Sequence, residues 1–312
     1  MDSSNSFHHT PRQRFLADAA LLAVAFVWGT TFTVVKEATA ELPTFSYLAI
    51  RFALAAVVLI LLYPRRFSWR SQAFSGRAWK DGAIIGLFLF LGYGFQTLGL
   101  QTTTPSKAGF LTGLAVVLVP LLSAVFLRER LAVPALAGVT LATAGLGLLT
   151  LNGAAGSATG DLLVLGCALA FALHIIAVGR FSAHHDPVVL AFVQIAVTSA
   201  ASGVAAWLTE PPVRAISPRA WGAIVLTGVL ATSAAFLIQT TAQRFTTSTH
   251  TALIFTMEPV FAATFSYLYL GEVLTPRAAF GGLLVLAGMV VAQRRVGEKE
   301  PLRDRGVPGA VD

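Results

Sequence analysis

Glu258 and Arg51 are the two charged residues of this sequence that fall well inside long apolar runs. A charge in lipid costs at least about 2.5 kcal/mol, so it persists where it meets a polar interior or a partner. Pro259 follows Glu258 and has no N–H to give, so the carbonyl of Phe255 loses its helical donor and a kink is expected. An acid beside loosened backbone at mid-bilayer is a candidate proton-coupling group; its bland alternative is a buried acid neutralised by a neighbouring helix. Arg51 lies about seven residues, roughly 10 Å, inside its run. Its planar fork suits a substrate carboxylate, but it equally suits snorkelling or clamping carbonyl groups between helices.

The remaining candidates are neutral. Trp28 and Thr31 share a helix face at spacing i, i+3, and a tryptophan there can meet a substrate ring or cation. Gln96, His174 and Gln239 offer polar atoms at similar depth, as substrate ligands or as ordinary hydrogen bonds between helices. The structural readings are a packing tryptophan, a satisfied imidazole and two interhelical amides. His8-His9 and His184-His185 lack the Cys or acid spacing of a metal site. No phosphate-binding glycine loop and no nucleophile–base signature occurs, so neither a cofactor nor an enzyme is expected.

The elements that hold these residues follow from composition. Apolar residues make up 55% of the 312 and charged residues 12%, with a mean hydropathy of +0.73. Soluble domains carry roughly a quarter charged residues, so the solvent of this chain is largely lipid. Ten stretches reach spanning length: 16–36, 44–63, 81–101, 106–127, 134–151, 161–179, 187–208, 220–243, 248–270 and 276–293. Helices are the expected form, since only they satisfy every backbone group within one segment. The single cysteine, Cys167, excludes an intramolecular disulfide.

Sliding the chain against itself by 143 residues superposes rare polar residues. Asp18 meets Asp161, Gln96-Thr97 meets Gln239-Thr240, and Glu129 meets Glu272. His174 takes the place of Thr31. The fold class is thus an all-α membrane protein of ten transmembrane helices as two inverted five-helix repeats, at 16–151 and 161–293. An odd number of spans per copy forces opposite insertion of the two halves. That copy also argues against a cleaved signal peptide at the first span. Segments 1–15 and 294–312 read as cytoplasmic tails and 152–160 as an outside linker. With both termini inside, sixteen Lys and Arg lie on the inner face and five outside, which matches the positive-inside rule. The pI near 10.1 then reflects an anionic leaflet and calls for no nucleic acid. Gly138, Ala142 and Gly145, repeated at Gly281 and Gly288, read as close-packing scaffold between the repeats or as a dimer face.

Several short motifs have a familiar order: Trp28-Gly29-Thr30-Thr31-Phe32, Arg51-Phe52, Gly160-Asp161, Glu258-Pro259 and Leu270-Gly271-Glu272. In these the chain resembles the EamA-type transporters of the drug/metabolite transporter superfamily over about 16–293. Leu127-Arg128-Glu129 and Phe171 depart from the pattern of that family. The resemblance implies a secondary carrier, often an exporter, for a small metabolite in the inner membrane. Mixed Trp, Gln, Thr, His, Arg and Glu lean towards an amino acid or amine. A pore is the rival class, and a membrane enzyme acting on lipid-linked substrates is a more remote one.

Overall fold

The computed structural model describes residues 10–67, 75–102, 111–126, 133–150, 158–270 and 275–293. The motif positions Arg128-Glu129 and Gly271-Glu272, His8-His9, and the segment 294–312 lie outside them. The described chain is helical throughout: α1 (Pro11–Glu41), α2 (Thr44–Leu62), α3 (Gly76–Leu100), α4 (Ala115–Phe126) and α5 (Val133–Thr150) form the first half. The second half is α6 (Ala158–Phe181), α7 (Pro187–Thr209), α8 (Pro218–Ala242), α9 in two pieces (Ser248–Phe255 and Met257–Leu270) and α10 (Pro276–Gln293). Among the described residues six helices are long and apolar enough to cross a membrane, and shorter apolar helices accompany them.

Several helices begin earlier than the sequence reading placed them, α1 and α3 by five residues and α6 by three. The tail expected over 1–15 is helical from Pro11, because Thr10 and Gln13 form a reciprocal capping box and Pro11 occupies the first turn. Likewise α6 starts at Ala158, inside the expected linker, with Asp161 in its first turn where the helix dipole favours an acid.

The internal two-fold is visible in matched contacts. Trp28 packs on Phe236 at 5.5 Å, and their partners at offset 143, Phe171 and Tyr93, pack at 5.4 Å. Arg51 corresponds to Gln194. A methyl group placed on Gly228 would lie 3.2 Å from the carbonyl of Arg51, and one on Gly86 would lie 2.7 Å from that of Gln194. The offset here is 142, not 143. Ser75-Gly76-Arg77-Ala78-Trp79 opens α3, and Ser217-Pro218-Arg219-Ala220-Trp221 opens α8, also 142 residues apart. Both serines cap their helix, at Ala78 N and Ala220 N. One extra residue therefore lies between Gly228 and Phe236, and α8 absorbs it as a π-helix over Val229–Ala234.

Packing follows the small residues. Helices α5 and α10 lie against each other along their length. A Cβ on Gly138 would come within 2.5 Å of the carbonyl of Gly288, and one on Gly288 within 2.6 Å of the carbonyl of Gly138. The stripe read as scaffold or dimer face is thus committed to the seam between the halves. Polar side chains point inward, with Gln194, Thr198, Ser202 and Thr240 fully buried, while Leu61, Val125 and Trp207 are exposed. That inside-out pattern is what lipid requires.

Contacts between the halves also tie both ends of the bundle. At one end Glu210 accepts hydrogen bonds from Phe45 N (2.6 Å) and from Ser46 N and Oγ (both 2.8 Å). Arg219 there meets Glu37 at 3.0 Å, and Ser217 bonds Glu41. At the other end His185 meets Asp81 at 2.7 Å, His250 meets Asp18 at 3.1 Å and Arg66 meets Asp186 at 3.1 Å.

Gly138→Ala forces the seam apart and is expected to cost about 1–3 kcal/mol, the usual range for overpacking. Gly282→Ala, whose new methyl finds Val260 at 3.8 Å, is expected to be nearly neutral. Thermal unfolding in detergent compares the two, and equal losses would show that the seam is not tightly packed.

Candidate functional site

Midway along the bundle, rings from both halves gather around Phe236. Trp28, Phe52, Tyr93 and His174 lie with centroids 5.5, 6.3, 6.4 and 5.7 Å from it. Phe255 stacks on Trp28 at 5.0 Å and Phe171 on Tyr93 at 5.4 Å. The wall is apolar, and the polar groups are threaded through it.

Arg51 is 2% exposed and its guanidinium is bound to α8. Its Nε donates to Thr232 Oγ1 at 2.7 Å and its Nη2 to Ala231 O at 3.4 Å. The cation also lies 5.1 Å from the ring of Tyr93 and 5.6 Å from that of Phe52. Trp28 Nε1 donates to the same Ala231 O at 2.8 Å. Two side chains proposed as substrate ligands therefore converge on one backbone oxygen in the π-helical stretch.

His174 takes part in a second, fully internal network. Its Nε2 pairs with Gln194 Oε1 at 2.9 Å, Gln194 Nε2 donates to Thr240 Oγ1 at 3.0 Å, and Thr240 donates to Phe236 O at 2.6 Å. With the amide nitrogen of Gln194 spent on Thr240, its carbonyl faces the imidazole, so Nε2 carries the proton in this arrangement. Gln239 donates to Gln243 Oε1 at 2.9 Å, and Gln243 in turn donates to Ile175 O at 2.9 Å. The Oε1 of Gln239 is buried without a partner. Its repeat mate Gln96 is half-buried and makes a long contact of 3.5 Å to Thr112. Thr31 bonds within its own helix, to Val27 O at 2.8 Å.

Glu258 stands apart from these networks. Its residue is half-buried, and neither carboxylate oxygen has a hydrogen-bond or ion-pair partner among the described residues. No ion pair joins it to Arg51. Helix α9 is interrupted at Thr256, three residues before Pro259, and Thr256 Oγ1 closes the break onto Leu253 O at 2.6 Å. The backbone of α1 presses on this point, since a Cβ on Gly29 would fall 2.5 Å from the carbonyl of Glu258.

The structure thus brings Trp28, Arg51 and His174 around Phe236, while Thr31, Gln96 and Gln239 find separate partners. Tyr93, Gln194, Thr232 and Phe236 were not singled out from the sequence. Tyr93 and Phe236 are repeat mates, as are Arg51 and Gln194, so completing the comparison at offset 143 would have found three of the four.

An all-helical bundle of two inverted halves with polar groups threaded through its centre is the architecture of a membrane carrier. Residues 15–151 and 158–293 each match the EamA-like transporter family. The chain belongs to that family, within the drug/metabolite transporter superfamily, and is a multi-pass membrane transporter. It is 35% identical over 284 residues to an uncharacterized transporter of Archaeoglobus fulgidus, covering 91% of this chain and 88% of that one. It is 24% identical to the uncharacterized transporter YvbV of Bacillus subtilis, covering 89% and 92%. A solved structure titled only as a crystal structure of a protein shares the fold, with a TM-score of 0.74, 23% identity and coverage of 89% and 96%.

Gln194→Ala leaves His174 Nε2 without its partner in an apolar interior, while the Thr240 hydroxyl keeps its bond to Phe236 O, and is expected to cost about 1–3 kcal/mol. Gln194→Leu combined with His174→Phe, which removes both ends of that bond, is expected to recover part of the loss. Melting temperatures of the purified variants check this, and a double variant no better than Gln194→Ala would mean the network is not the source.

Proposed function

We propose that this protein is a secondary active transporter that moves a small metabolite across the inner membrane by alternating access. Its cargo is an amino acid or amine, and its preferred direction is export in exchange for protons. Glu258 carries the reading: it is an intramembrane carboxylate without a hydrogen-bond or ion-pair partner among the described residues, seated at the break of α9 and against the backbone of α1. Loading and unloading a proton there changes the charge of the chamber wall at the point where two helices from opposite halves touch. Trp28, Arg51 and His174 shape the cargo chamber from one side, with Gln96 and Gln239 at its margins. Both chain ends are placed in the cytoplasm, on the strength of the basic residues on that side.

A stabilisation screen across amino acids, amines, nucleotide sugars and cationic drugs identifies the cargo, since a ligand of the folded state raises the melting temperature. In proteoliposomes, the flux of that cargo is expected to follow an imposed pH gradient. Glu258→Gln is expected to abolish this dependence while leaving cargo exchange intact. Gradient-driven flux retained in the variant removes the proton role, and conductance steps or flux that never saturates would make the protein a pore. Tags on the two termini are expected to be protected together in sealed cells; tags on opposite faces would overturn the topology.

A further inference from the structure

Helix α8 carries one residue more than α3 between matched landmarks, and that surplus is held in place by side chains of the first half. Gly86 to Tyr93 is seven steps, whereas Gly228 to Phe236 is eight. Within the π segment the N–H of Ala235 reaches back to Leu230 O instead of Ala231 O. Ala231 O is instead met by Trp28 Nε1 and Arg51 Nη2, and the neighbouring Thr232 hydroxyl by Arg51 Nε. In α3 the counterparts of Trp28 and Arg51 are Phe171, which has no donor, and Gln194, whose amide donates to Thr240; the side-chain donor from the other half there is the hydroxyl of Thr198, which reaches Gly86 O at 3.0 Å. That helix stays regular from Gly76 to Leu100.

We propose that the π segment of α8 is a two-register joint set by Trp28 and Arg51, which act as positioning residues. In the register seen here both donors hold Ala231 O. When an acceptor group of the cargo draws the guanidinium away, the surplus residue passes along α8, and the stretch Ala235–Ala242 turns by about one residue, roughly 100°. That turn takes Gln239 off Gln243 and Thr240 off Gln194, so an event at Arg51 is relayed to the far end of the helix. The relay extends the carrier reading above, and only the identity of the trigger depends on that reading.

The test is structural and needs no transport. Single nitroxide labels at each position from Ala235 to Ala242, in nanodiscs, report oxygen accessibility. The native pattern is expected to peak at Thr241, which is exposed, and to be low at Gln239, Thr240 and Ala242, which are buried. In the Trp28→Phe/Arg51→Gln variant, which gives these positions the residues of their second-half counterparts Phe171 and Gln194 and so removes the indole donor and the guanidinium, the whole pattern is expected to shift by one position. An unmoved pattern overturns the proposal. Deleting Ala234 removes the surplus residue, so this background is expected to keep the native pattern and to be insensitive to the two substitutions. A shift there as well would mean that the substitutions merely loosen the bundle, and would also overturn it. A shift confined to the full-length helix, in a protein that carries no solute, would leave the joint standing and remove the carrier.

Discussion

A backbone carbonyl that its own helix does not bond has no water to turn to inside a membrane. Ala231 O lies in the π stretch, where the N–H of Ala235 goes to Leu230 O and Thr232 O, and two side chains of the first half are brought to it. The indole N–H of Trp28 and the guanidinium of Arg51 reach it from two helices of the first half. Meeting that demand fixes where both side chains lie, places the cation of Arg51 against Tyr93 and Phe52, and stacks Trp28 between Phe236 and Phe255. The ring cluster around Phe236 is thus tied to one backbone oxygen of α8.

The two halves share a frame and differ in chemistry. Trp28 is answered by Phe171, Arg51 by Gln194, Tyr93 by Phe236 and Glu258 by Ala115. In each pair the ring or the helical position is kept while the donor, cation or acid appears once. A strictly two-fold centre would present cargo with two equivalent orientations. Here the cation belongs to α2 and the acid to α9, so the centre of the bundle has a polarity that a strictly two-fold centre would lack.

The fold was largely legible in the sequence because lipid leaves few options: apolar runs of spanning length, an odd number per repeat and the basic side of the loops decide the architecture. Helix ends were less legible where the cap was polar, as at Thr10, because a capping box lies outside the apolar run it starts. The candidate residues were recognised by type, and for Arg51 the sequence left open a substrate carboxylate or carbonyl groups between helices. Which carbonyl it and Trp28 meet, Ala231 O, is visible only in three dimensions. The surplus residue in α8 was hidden by a single fixed offset: the pentads beginning at Ser75 and Ser217 match only when the comparison is moved by one. Gln194 and Thr240 looked like ordinary span residues, and only three-dimensional contact joins them to His174.

The ties at the two ends of the bundle bear on how this molecule moves. Both rims are stitched shut at once, by Glu210, Glu41 and Glu37 at one and by Asp81, Asp18 and Asp186 at the other. Exposed pairs such as Arg219–Glu37 contribute only about 0–1 kcal/mol each, and hydrogen bonds to a charged group such as Glu210 about 1.5–3 kcal/mol. Neither rim is therefore a barrier that needs a fuel molecule to unlock. Thermal agitation suffices to part either one, and the choice of which opens more often is left to whatever occupies the middle.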